Sequence, residues 1–259
     1  MSTPDSSPAR LADRLRALHV PGRPLILPNV WDAASARVVA EAGFPAVATG
    51  SAPVAASLGH PDGEVVPPAE MLAAVTRVVR AAGVPVTADM ERGYGLAPAE
   101  FAERLAATGA VGCNLEDTDP RTGRLVDAGE QADFLAALRA ADPDLVINAR
   151  TDALVREPAP AHERPAEAAR RIRLYLEAGA DCVYPFGPLD EEATAALVAA
   201  AGGRPVNVIA RPGGLTTSRL AELGVARISY GHQLHTAVLR HLADLVAVVR
   251  DGGSPFAAG

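Results

Sequence analysis

"PAEMLAAVTRVVRAAGVPVTADMERGYG", residues 68–95, holds a complete structural unit. A helical pattern opens on Pro68, where a missing N–H costs nothing, and closes on Gly83. The apolar run "VPVTAD" (84–89) then reads as a buried strand. It ends on Asp89, with Glu91 two places on and a glycine turn behind it.

The same unit recurs along the chain. Strand-like runs stand at "LILPNV" (25–30), "AVATG" (46–50), "VGCNLE" (111–116), "LVINAR" (145–150), "CVYPF" (182–186), "VNVIA" (206–210) and "ARISY" (226–230). With 84–89 they make eight. Helical segments such as "PAEFAERLAATG" and "PAEAARRIRLYLEAG" lie between them, each ending in Gly and a short return to the next strand. Eight βα units in 259 residues predict an α/β protein of the (β/α)8 TIM barrel kind. An extra helix near residues 9–18 is expected to cover the barrel's bottom. The alternative is an open doubly wound sheet, and no GxGxxG follows the first strand to support a dinucleotide-binding version.

About half the residues are apolar, enough for one barrel domain spanning residues 1–259, with flexible tails at about 1–8 and 252–259. Lys and Arg number 24 against 31 Asp and Glu, a net charge of −7, with no long basic run. Nucleic acid is therefore not an expected partner. Neither a signal-peptide stretch nor a membrane-length apolar run is present. Cys113 and Cys182 lie in apolar stretches without metal-ligand spacing. Together these features predict a cytoplasmic protein with no membrane association.

A barrel's active site lies at the C-terminal ends of its strands. Those ends carry Trp31, Asp32, Thr49, Gly50, Ser51, Asp89, Glu91, Asn114, Glu116, Asp117, Asn148, Arg150, Thr151, Asp152 and Asn207. Asp89 and Glu91 are two apart and so share one side of the strand. With Glu116 from the next strand they offer carboxylates without His or Cys, a donor set for Mg2+ or Mn2+. Read alone, any one of these acids could equally be a helix cap or an arginine partner. Arg150 suits bidentate capture of a carboxylate or phosphate.

"TGS" (49–51), "GHPDG" (59–63), "ADMERGYG" (88–95), "NLEDT" (114–118) and "NARTD" (148–152) at this spacing resemble the isocitrate lyase/phosphoenolpyruvate mutase superfamily. The resemblance covers roughly residues 10–245. It implies a Mg2+-dependent barrel acting on small α-oxycarboxylates through an enolate-like species, and a homo-oligomer, a dimer or tetramer, whose last helix packs on a neighbour. Carried over residue by residue, it makes Asp89 a metal ligand and Glu116 an acid reaching the metal through water. Glu91 stands where the family usually has Asp. Gly50 and Ser51 resemble donors to the substrate carboxylate, Trp31 an aromatic wall, Asp62 a supporting acid, and Arg150 the guanidinium on the substrate oxygens. Asn207 falls near a substrate-contact position.

The loop "EDTDPRTGRLVDAGEQ" (116–131) departs from the superfamily's patterns. It holds no Cys or His, whereas the isocitrate-type lyases use a loop thiol as acid. Arg121 and Gly123 replace the Lys and Asn of the phosphoryl-transfer loop. Arg121 is the expected catalytic cation of this loop, which is expected to be mobile and to close over ligand. A Mg2+-dependent lyase or decarboxylase, with solvent or Tyr94 as proton source, is the first expectation. A phosphonopyruvate or phosphoenolpyruvate enzyme comes second, and a catalytically degenerate ligand-binding barrel third. "RPGG" (211–214) and "SYGHQL" (229–234) read as turns and helix starts, His232 and His235 as surface or interface residues. Leu234, Val238, Leu242, Leu245 and Val246 form a packing stripe.

Overall fold

The computed structural model describes residues 7–156 and 162–256; most of the expected N-terminal tail (1–6) and the end of the expected C-terminal tail (257–259) lie outside the described residues. Among the described residues nine short strands run β1 (Leu25–Leu27), β2 (Asn29–Val30), β3 (Val47–Thr49), β4 (Val86–Asp89), β5 (Gly112–Leu115), β6 (Val146–Thr151), β7 (Cys182–Pro185), β8 (Asn207–Ile209) and β9 (Arg227–Ser229). All their pairings are parallel.

The run expected as one strand over 25–30 is two. Pro28 has no N–H to donate and interrupts it, so β1 pairs with β9 while β2 pairs with β3. The split strand therefore joins the three-stranded sheet β1-β9-β8 to the six-stranded sheet β2 to β7. A parallel bridge between Val183 and Val206 links β7 to β8. These links complete the (β/α)8 ring that the strand count predicts.

Helices α2 (Ala33–Glu41), α4 (Pro68–Ala82), α5 (Pro98–Thr108), α6 (Ala128–Ala141), α7 (Arg164–Glu177), α8 (Glu191–Ala200) and α9 (Thr217–Glu222) separate the strands, with a short α3 (Ser51–Ser57) ahead of α4. Pro68 and Pro98 begin their helices as the sequence predicts. Gly83 ends α4 at φ 63°, a left-handed conformation in which a side chain would be strained. Helix α1 (Pro8–Ala17) closes the bottom: Ala12 and Leu15 bury against Leu25, Leu27, Ala46, Ala48, Val111 and Val146.

Helix α10 (Gln233–Arg250) is built differently. None of its 18 residues is buried, and Val238, Leu239, Leu242, Val246 and Val249 stand exposed. Its start is tied to the barrel mouth, where Gln233 Nε2 donates to the Ala210 carbonyl and His235 meets the Trp31 ring edge-on at 4.8 Å. Among the described residues no helix is long and apolar enough to cross a membrane.

Candidate active site

Asp89 ends β4 and faces the start of α3. Its Oδ2 accepts the Ser51 N–H at 3.0 Å, and its own N–H donates to Thr49 Oγ1 at 2.9 Å. Asp62 lines the same mouth as Ser51, and its carboxyl is pushed up first by burial and then by the charge of Asp89, with Ser51 opposing the shift. Gly50 permits this approach, since a Cβ there would stand 2.9 Å from Pro53 Cγ.

Glu91 is buried behind Asp89. Its Oε2 accepts the Glu64 N–H at 2.7 Å and its Oε1 the Tyr94 hydroxyl at 2.6 Å. Glu64 returns the contact, its Oε1 accepting the N–H groups of Arg92 at 2.9 Å and Tyr94 at 2.6 Å. Glu64, Glu91 and Tyr94 all hold positive φ, at 60°, 49° and 57°, a conformation uncommon outside glycine and typical of constrained functional turns. Burial pushes the Glu91 carboxyl up to about 7, with Asp62 and Asp89 adding to the shift against the Tyr94 hydrogen bond. Burial and the Glu91 charge push the Tyr94 phenol far above its ordinary value, which makes it a structural donor rather than an acid for substrate.

Arg150 is clamped from two sides. Nη1 meets Glu116 Oε2 at 2.7 Å, while Nε and Nη2 grip Asp152 at 2.7 and 3.0 Å. The Phe186 ring covers the guanidinium at 4.0 Å. Burial works against this charge, but Glu116 and Asp152 outweigh it and hold the guanidinium protonated. Burial raises Glu116 strongly. Arg150 opposes that shift, while Asp152, Asp89 and Glu91 reinforce it.

Asp117, next along the chain, points the other way. Fully buried, it takes Arg171 Nη1 at 3.0 Å and the Tyr175 hydroxyl at 2.7 Å. Beneath the mouth, Asn114 Oδ1 accepts from Asn148 Nδ2 at 2.7 Å and from Arg227 Nη2 at 3.1 Å. Arg227 is fully buried, and its place in the apolar run "ARISY" gives no sequence signal for this.

These groups surround a mouth pocket of about 300 Å³ lined by Gly50, Ser51, Asp62, Asp89, Asn114 and Arg150, together with Arg156, Tyr184, Phe186 and His232. Of the sequence-derived site residues, Gly50, Ser51, Asp62, Asp89 and Arg150 line this pocket. Glu91 and Glu116 stand behind its wall. Asn207 is buried deeper, bonded to Ser229 Oγ at 2.8 Å. Trp31 packs on α10 instead. Arg121 is not brought to the mouth: its side chain is exposed, lies 3.5 Å from Asp119 and lines a separate cavity with Glu64 and Arg92. Its loop is held as a small hairpin, with Thr118 bridged to Leu125 and Asp119 N–H bonded to the Arg124 carbonyl at 2.9 Å. The sequence does not single out Arg156, Tyr184, Phe186 and His232 as site residues. Only their positions just beyond strand ends, or in Tyr184's case within one, could mark them.

Among the described residues no three His, Cys, Asp or Glu side chains form a ready metal cage. Mg2+ does not require one, since it keeps several waters and needs only one or two carboxylates beside substrate oxygens. The hard-oxygen donor set fits such an ion, and so does the crowding around Asp89, where burial first and neighbouring acids second raise Asp62, Glu91 and Glu116.

Fold and site together define a (β/α)8 enzyme with a carboxylate-and-arginine mouth built for small anionic substrates. The family model for phosphoenolpyruvate phosphomutase matches residues 15–250, and the chain belongs to this family. It is 44% identical to a Burkholderia cenocepacia J2315 protein classed with the phosphonomutases, covering 92% of this chain and 99% of that one at TM-score 0.85. An oxaloacetate decarboxylase of Rhodopseudomonas palustris (strain TIE-1) is 32% identical over 241 residues, 88% of this chain and 81% of its own. The structure of an oxaloacetate acetylhydrolase with the inhibitor 3,3-difluorooxalacetate aligns at TM-score 0.86 and 25% identity, covering 97% and 90%. The family's matched members thus include mutases and enzymes that break carbon–carbon bonds of small acids.

Proposed function

We propose that the protein is a Mg2+-dependent (or Mn2+-dependent) cytoplasmic lyase that decarboxylates or cleaves a small 2-oxo dicarboxylic acid such as oxaloacetate. The observation that carries this reading is the convergence of Asp89 and Arg150 on one pocket with no thiol facing it. Both cysteines are wholly buried, and burial pushes the Cys182 thiol up to about 12 and the Cys113 thiol higher still. Similarity to an oxaloacetate decarboxylase supports the same reading.

Asp89 would hold the ion, with Asp62 beside it in the pocket and Glu91 and Glu116 as the supporting acids behind the wall. Held there, such an ion would supply Lewis acidity toward the oxygens of a 2-oxo acid. Arg150, fixed by Glu116 and Asp152, is aimed in advance at the oxygen where charge develops. As the bond to the departing carboxylate breaks, its electron pair moves into the 2-oxo carbonyl. Carbon dioxide leaves, and the resulting enolate takes a proton from water at carbon. Phe186 excludes solvent from one face of Arg150, which strengthens its charge interaction.

The same reading includes a homo-oligomer, a dimer or tetramer, in which the exposed apolar stripe of α10 lies on a neighbouring subunit. Proton NMR of a 2-oxo and 2-hydroxy acid panel, with Mg2+ present and then chelated, tests the chemistry. Metal-dependent conversion of oxaloacetate to pyruvate above the uncatalysed rate is expected. Consumption of phosphonopyruvate instead would favour the phosphonate reading, which the similarity to the Burkholderia protein supports. Turnover indifferent to the metal would overturn the proposal.

A further inference from the structure

Beside the mouth pocket lies a second cavity of about 650 Å³, sharing Phe186, Ile209 and His232 with it. Two arginines line it. Arg211 leaves β8 in the "RPGG" turn, and Arg240 stands two turns into α10. No Asp or Glu lines this cavity, and among the described residues neither arginine forms an ion pair or a side-chain hydrogen bond. The rest of the wall is largely apolar, including Pro212, Tyr230 and Leu234. Two like charges facing one cavity, without an acid between them, favour an anionic occupant.

Phe186 joins the two compartments. Arg150 lies 4.0 Å from its ring centroid and Arg211 lies 5.4 Å from the same centroid. Both guanidinium groups therefore stand against the one ring that lines both cavities. The mouth pocket supplies the acids and the clamped arginine for a 2-oxo acid head. The neighbouring cavity supplies unpaired positive charge and apolar wall for the tail of the same molecule. We propose that Arg211 and Arg240 form a distal-anion subsite that selects 2-oxo acids carrying a second carboxylate at the far end of a short carbon chain. This rests on the reading of the mouth pocket as a 2-oxo acid site.

The test is calorimetry with Mg2+ on three probes: oxalate, which mimics the head alone, 2-oxoglutarate, and 2-oxovalerate, which replaces the distal carboxylate by methyl. A charge-assisted contact predicts that 2-oxoglutarate binds about tenfold or more tightly than 2-oxovalerate. In Arg211→Met and Arg240→Met, singly and together, that preference should fall toward unity while oxalate binding stays unchanged. Exposed positions make these variants safe for folding, and intact oxalate binding confirms it. Equal binding of the two longer acids to the unsubstituted protein, or a preference that survives the double substitution, would overturn the subsite. Absence of oxalate binding in the unsubstituted protein would instead sink the reading of the mouth pocket, and the subsite with it.

Discussion

The backbone N–H of Asp152 donates to Asp117 Oδ1 at 2.8 Å, and this bond ties a buried charge cluster behind the barrel wall to the guanidinium at its mouth. Asp117 holds Arg171 and Tyr175 on one side. Asp152 grips Arg150 on the other and accepts the Thr118 hydroxyl at 2.8 Å. The geometry of the mouth therefore depends on a residue that does not line it. Asp117→Asn leaves Arg171 buried with Glu167 as its remaining acid, and should lower stability by about 3 kcal/mol in urea denaturation. The kcat/KM for oxaloacetate should fall as well, because Asp152 loses its anchor.

Asp89→Ala should abolish Mg2+-dependent oxalate binding while leaving the urea midpoint nearly unchanged, since Asp89 is a partly exposed site acid crowded by other carboxylates. Unchanged metal-dependent affinity in calorimetry would contradict the assignment of this carboxylate as the direct ligand.

Arg150→Lys keeps the charge but cannot reproduce the fork that meets Glu116 and Asp152 together. Turnover should fall by about a hundredfold or more, the scale of losing one preorganised donor to a developing oxyanion. Steady-state kinetics should place the loss in kcat, with oxalate affinity reduced less.

His19 gives the stability a definite pH dependence. Buried at the end of α1, with Nδ1 2.8 Å from the Leu15 carbonyl, it is lowered from 6.5 to about 4, by burial first and by Arg227 second. The unfolded chain takes up this proton below 6.5 and the folded chain only near 4, so stability is lost as pH falls through that window. Between pH 7 and pH 5 this one group should cost about 2 kcal/mol. Urea titrations of the parent and His19→Gln at the two values should show the variant losing correspondingly less.

Leu242→Glu and Val246→Glu place charge on the exposed face of α10. In light scattering the parent should run as a dimer or larger and the variants as monomer or a smaller species, with far-UV circular dichroism preserved. A monomeric parent at micromolar concentration would remove the proposed interface.

The eight βα units, the placement of Asp89 and Arg150 at the barrel mouth and the plugging helix were legible in the sequence because each rests on local pattern: strand runs, a Pro start, a Gly stop, an acid or arginine at a strand end. Alternation put Asp89 and Glu91 on one side of the chain. It could not show that Tyr94 and the Glu64 N–H draw Glu91 behind the pocket wall, since Glu64 lies 27 residues away in a different loop. Arg121 carried the right charge in the right loop, yet Thr118 and Leu125 pair and leave it pointing outward beside Asp119. Phe186 and Arg211 follow different strands and become neighbours only when the ring closes. The sequence by itself determined the barrel and the chemical kind of its mouth, because the periodicity of burial and the polarity of strand ends are properties of nearby residues. Which of those polar groups face the pocket, which are neutralised by a partner, and which stand with unpaired charge was decided by the tertiary structure alone, because buried electrostatics depends on contacts between residues far apart in the chain.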